Sequence, residues 1–131
     1  MDSIEGAEEF VKYFMAQLDR SLTEPNSALL VPLCTPQSKT CRAYMDAAER
    51  FTSKGWRYVG RTFASTATLG QFWISGSATV LVQGSQPAGR IVDSTGTTVE
   101  KVPETDGGLV FELTMHGSWM VQSIKGEALP T

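Results

Sequence analysis

The sequence predicts an α+β domain in which two to three N-terminal helices pack on a curved antiparallel sheet. Helical periodicity fills about the first 55 residues, and strand-and-turn texture fills the rest. Helices and strands segregated in this way place the helices on one face of an antiparallel sheet. The length of 131 residues is that of a single domain with one sizeable core. The domain is read over residues 1–126, with a patternless tail at 127–131.

The first helix is expected over 3–22. Ala7, Phe10, Val11, Phe14, Leu18 and Leu22 recur at helical spacing and share one face. Ser3 suits the N-cap, and Glu5 suits the positive helix end. Glu24-Pro25-Asn26 breaks the pattern, because proline cannot continue a helix. Residues 28–33 fit a short second helix. A third is expected from Ser38 or Thr40 to Gly55, a natural left-handed C-terminal residue. Its apolar face is Cys41, Tyr44, Met45, Ala48 and Phe51.

Beyond Gly55 the chain is rich in β-branched and aromatic residues, which predicts strands over 56–69 and 71–83. Gly70 is expected at the turn between them and Gly76 at a bulge or bend. Turns are expected at 85–89 and 103–108, with short strands at 90–93 and Thr98–Val102 around Ser94-Thr95-Gly96. Leu109, Phe111, Leu113 and Met115 alternate with Glu112 and Thr114, the period of a half-buried strand. His116-Gly117-Ser118 turns the chain into a last strand over 119–125. The apolar faces together predict one core containing Phe10, Phe14, Leu18, Tyr44, Phe51, Phe111 and Leu113.

Charge and motifs narrow the function classes. A net charge of −3 and a pI near 5.1 exclude a nucleic-acid partner and attachment to membranes through a basic patch. No apolar run is long enough to span a bilayer, and the helix begins directly after Met1-Asp2 with no legible signal peptide. No glycine-rich phosphate cradle occurs, so no cofactor is expected. The single histidine, His116, lies far from the two cysteines, so no tetrahedral metal site is expected. Cys34 and Cys41 are not spaced as C-x-x-C. They read first as a structural disulfide pinning the 35–40 loop to the third helix, with two buried thiols as the alternative.

Some short motifs carry a resemblance. They are Glu5-Gly6-Ala7-Glu8 leading to Phe10-Val11-x-Tyr13, Cys41-x-x-Tyr44, Gly55 and Gly60 around Trp56, and Gly117-Ser118-Trp119-x-Val121. Helices followed by a meander ending in this way resemble the nuclear-transport-factor-2-like cone fold. The motifs resemble, more narrowly, an uncharacterised family of secreted or lipid-anchored actinobacterial proteins. In that family the two cysteines lie closer together than Cys34 and Cys41. The resemblance implies a domain outside the cytoplasm, held at a membrane only through a lipid anchor upstream of this chain, and implies no known activity.

Enzymes with the cone fold place Asp, Tyr or His side chains inside the cone, which here nominates Tyr13, Tyr44, Asp19 and Asp46. No two of these point clearly at one spot, and a core tyrosine with its hydroxyl bonded is the commoner case. His116 is expected at an exposed hairpin tip, without a catalytic role. The aromatics on the sheet either fill the cone or line a cavity in it. In the second case Tyr13, Tyr44, Trp73 and Trp119 are expected to line it. The expected function is a non-enzymatic binding or accessory domain of a bacterial envelope lipoprotein, whose partner is an envelope protein or an apolar small molecule. The alternatives are a small acid/base enzyme using the cavity and a cytosolic domain forming a homodimer.

Overall fold

The computed structural model describes residues 2–127. The expected tail therefore lies outside the described residues, apart from Glu127. Two long helices, α1 (Ile4–Thr23) and α2 (Lys39–Lys54), are joined by the single 3₁₀ turns Ser27–Leu29 and Val31–Leu33. Seven strands follow: β1 (Arg57–Val59), β2 (Ala64–Ile74), β3 (Ser77–Gln86), β4 (Gly89–Val92), β5 (Thr98–Val102), β6 (Thr105–Met115) and β7 (Trp119–Glu127). This is the expected α+β layering of helices on a curved antiparallel sheet.

Local chemistry sets the helix ends. The Ser3 hydroxyl accepts from Gly6 N–H at 3.0 Å, and the Ser38 hydroxyl accepts from Cys41 N–H at 3.3 Å. Gly55 closes α2 in the left-handed region, and its N–H reaches Phe51 and Thr52 carbonyls. The expected second helix is two 3₁₀ turns, since Pro32 permits no longer run.

The strands separate into two hydrogen-bonded sheets, β2-β3-β6-β7 and β1-β4-β5, all paired antiparallel. Register shifts between Ser65 and Ala67, Gly70 and Phe72, Glu112 and Leu113, and Ile91 and Val92 bend them. The roles expected of Gly70 and Gly76 are exchanged. Gly76, at φ 81°, makes the β2–β3 turn, and Gly70 lies inside β2 at a register shift. A Cβ at Gly70 would overlap the Ile4 side chain. The absent side chain lets α1 lie against β2, where the Glu8 carboxylate accepts from Gly70 N–H at 2.7 Å. Strand β6 likewise begins at Thr105, inside the stretch expected to be a turn.

Both edges of the four-stranded sheet are engaged by other parts of the chain. At β7, Thr35 N–H donates to Val121 O at 2.9 Å and Thr40 Oγ1 donates to Ile124 O at 2.9 Å. Such cover blunts the exposed backbone groups that make edge strands prone to aggregate. Cys34 and Cys41 form a disulfide, which closes this edge-covering loop onto α2.

The expected single core is two clusters. Phe14, Leu18, Phe111 and Leu113 are buried in the larger one, against which Phe10 and Tyr44 are half-buried. Phe14 and Phe111 meet edge to face at 5.5 Å. Phe51 belongs instead to a smaller cluster with Tyr58 and Ile91. The division follows the sheets: Tyr58 and Ile91 belong to the three-stranded sheet, and Phe51 near the end of α2 packs with them.

Candidate functional site

A cavity of about 420 Å³ opens between α1, α2 and the ends of the strands. Met15, Leu18 and Leu22, three and four residues apart on α1, form one apolar wall, and Phe63 and Leu109 add to it. Strand β6 enters with Thr105, Asp106, Gly107 and Gly108, so two successive positions at the cavity carry no side chain. Tyr44 of α2, Thr62 and Gln86 bring polar side chains to the lining, which Tyr58 of β1 also joins.

Tyr58 is the unusual member. The residue is 5% exposed, and its hydroxyl, shut off from water, finds no hydrogen-bond partner among the described residues. That oxygen rests against Gly89, where any Cβ would collide with it. Burial pushes the Tyr58 phenol pKa up. The Gln86 side chain opposes the shift without closing a bond of proper geometry, and the negative charge of Asp19 adds to the rise. Burial also raises the Tyr44 phenol. Both directions keep these hydroxyls protonated.

The structure scatters the other residues nominated from sequence. Of the four expected around a cavity, Tyr44 lines this one. Tyr13 is 54% exposed on the outer side of α1, one residue out of phase with buried Phe14. Trp73 is partly exposed at the β2–β3 hairpin, where its Nε1–H donates to Asp2 at 3.0 Å. Trp119 is buried in the main core, because β7 turns its first residue inward beside Val121. Asp19 is an anchor: its Oδ1 accepts from Thr62 N–H at 2.9 Å and Thr62 Oγ1 at 3.1 Å, fixing the approach to β2. Asp46 is exposed on α2, and His116 is exposed in the β6–β7 turn, at the end of β6 opposite the cavity. Among the described residues no group of three or more His, Cys, Asp or Glu side chains gathers that could hold a metal ion.

Sequence reasoning missed Tyr58, Gln86 and the Gly107-Gly108 pair. The pair carried the one available signal, a gap of two absent side chains at the mouth of an otherwise bulky strand.

No protein-family model and no curated protein matches the chain. Solved structures do. The intermembrane space region of the chloroplast protein ARC6 superposes with a TM-score of 0.67 at 10% identity, over 97% of this chain and 98% of that one. A candidate aromatic ring hydroxylase from Novosphingobium aromaticivorans superposes with a TM-score of 0.52 at 13% identity, over 100% and 94% of the two chains. These likenesses are of fold. They agree with the cone architecture, and they leave the narrower resemblance to actinobacterial secreted proteins resting on sequence motifs.

Proposed function

We propose that this domain is a non-enzymatic binding module acting outside the cytoplasm, and that the cavity beside Tyr58 holds a small, largely apolar molecule. The observation that carries this is the cavity. Its volume of about 420 Å³ falls in the span of roughly 300–1,000 Å³ usual for ligand pockets. Its wall is mostly aliphatic and aromatic, with a few polar groups to orient a guest. The wall also favours binding over catalysis. A general base must lose its proton near the working pH, and burial drives Tyr44 and Tyr58 the other way. Asp19 already holds Thr62, and His116 is remote.

The disulfide supports an oxidising compartment, where such bonds persist. No helix among the described residues is long and apolar enough to cross a membrane. Attachment to a bacterial envelope, through a lipid anchor upstream of this chain, rests on the sequence motifs.

The test fills the cavity. By strand alternation Gly107 shares a face with Leu109 and Phe111, and its φ lies outside the left-handed region. Gly107→Leu therefore puts a side chain into the space without backbone strain. The neutral fluorophore N-phenyl-1-naphthylamine is expected to bind the native protein saturably. Gly107→Leu should abolish that binding with the circular dichroism spectrum unchanged, and Gly107→Ala should weaken it. Saturable binding undiminished in a folded Gly107→Leu protein would sink the assignment.

A further inference from the structure

The helices cover one face of the four-stranded sheet and leave the other bare. Strand pairing fixes what the bare face carries. Thr79 Oγ1 donates to Glu112 at 2.9 Å, so both point away from the side of buried Val80 and Phe111. By the same registers, Leu69, Phe72 and Ile74 of β2 share the bare face with Leu81, Val110 and Met120. Leu69, Phe72 and Ile74 are 40%, 56% and 54% exposed. Exposed apolar residues gathered on one face, rather than scattered, mark an interaction surface. The edges of this sheet are engaged by the chain itself, which leaves the face as the surface open to association. Two charges also stand on it. Lys125 pairs with Val110, and Glu112 lies two residues further along the same strand as Val110. The salt bridges among the described residues, Lys12 with Glu9 and Arg20 with Glu24, involve neither.

We propose that two copies of the chain associate through this face, sheet on sheet, about a two-fold axis. Such a contact sets one patch against itself, so the patch must be its own complement. Leu69, Phe72, Ile74, Leu81, Val110 and Met120 meet that condition by being apolar. Glu112 and Lys125 meet it by exchange, Glu112 of each copy facing Lys125 of the other. The extent is also right. Strands of nine to eleven residues, four abreast, cover roughly 600 Å² in outline at about 4.8 Å between strands and about 3.3 Å per residue. Side-chain relief raises the accessible area above that outline, towards the about 800 Å² per partner of a stable interface. A lipid surface does not suit this face, because burying Glu112 and Lys125 in it strips their water without pairing them. The cavity opens between the helices and the strand ends, so pairing of the bare faces leaves it accessible. The dimer therefore stands or falls apart from the cavity.

Sedimentation equilibrium of the full chain over a concentration series tests this. The native protein is expected at the mass of two 14.2 kDa chains at micromolar concentration. Phe72→Lys should weaken association by about tenfold or more, with the circular dichroism spectrum unchanged, since the residue is already more than half exposed in the single chain. Glu112→Lys and Lys125→Glu should each weaken it about tenfold, because each sets like charges opposite one another. The two together should restore it, which a merely unfolded variant cannot do. A native chain that stays single up to roughly 100 μM overturns the dimer and leaves the face to a different protein. A dimer that survives both Phe72→Lys and the single charge reversals makes its contact elsewhere and overturns the assignment of this face.

Discussion

At the scale of single residues, neighbouring side chains on one helix meet opposite fates. Phe14 is fully buried against Phe111, while Tyr13 beside it is turned about 100° away into solvent. Asp2, which precedes α1, reaches the β2–β3 hairpin. Its carboxylate accepts from Gly76 N–H, Trp73 Nε1–H and the Ser75 hydroxyl. The Gly76 bond, followed by the Trp73 bond, holds the Asp2 pKa below its ordinary value of 3.8. A carboxylate depressed in the folded state stabilises it above the unfolded value, and that contribution is lost as pH falls through the folded value. Asp2→Ala should therefore melt below the wild type near neutral pH, with the gap closing only below pH 3.8. Melting curves over an acidic pH series check this, and a gap unchanged down to the lowest pH contradicts it.

At the scale of elements, whatever depends on nearby residues was legible and whatever depends on distant ones was not. The caps Ser3, Ser38 and Gly55 act within a few residues of themselves, so both long helices could be read almost to their ends. The β2–β3 turn could not. Gly70 and Gly76 are equally plausible turn residues, and the choice is made by Ile4 and Glu8 of α1, more than sixty residues upstream. The cysteine pair lies between these cases: short spacing suggested the bond, but not that its loop covers the β7 edge. Replacing both cysteines by serine should cost about 2–3 kcal/mol, the value expected for so small a ring. Urea unfolding measures it, alongside titration of the denatured, unreduced native protein, which should show no free thiol. Two titratable thiols in protein matured under oxidising conditions, or a loss near zero, would remove the disulfide from the account.

At the scale of the whole molecule, the α+β class follows from helices and strands occupying separate halves of the chain, and that much was open to a linear reading. The cavity was not. It lies where β3 ends at Gln86 and the chain passes into a second sheet, beside Gly107 and Gly108, which have no side chains to fill it. No periodicity encodes how far two sheets diverge. Tyr44 was within reach, since it lies on the apolar face of its helix. Tyr58 was not, because its position at the wall depends on β1 pairing with β4 across more than thirty residues.

The division of the core into unequal clusters sets a rate as well as a shape. Strands β1, β4 and β5 rest on a few buried residues around Phe51, Tyr58 and Ile91, whereas β3 and β6 share the large cluster. Regions with fewer buried contacts open locally at lower free energy than the global transition. Backbone amide protons of Tyr58 and Ile91 should thus exchange with deuterium sooner than those of Val80 and Phe111, and saturating N-phenyl-1-naphthylamine should slow the first pair selectively. Equal protection in both sheets contradicts this. Because Tyr58 is both part of the weaker sheet and part of the cavity wall, fluctuation of that sheet is a route by which a guest departs. Residence time would then be governed by the stability of three short strands rather than by the grip of the pocket alone.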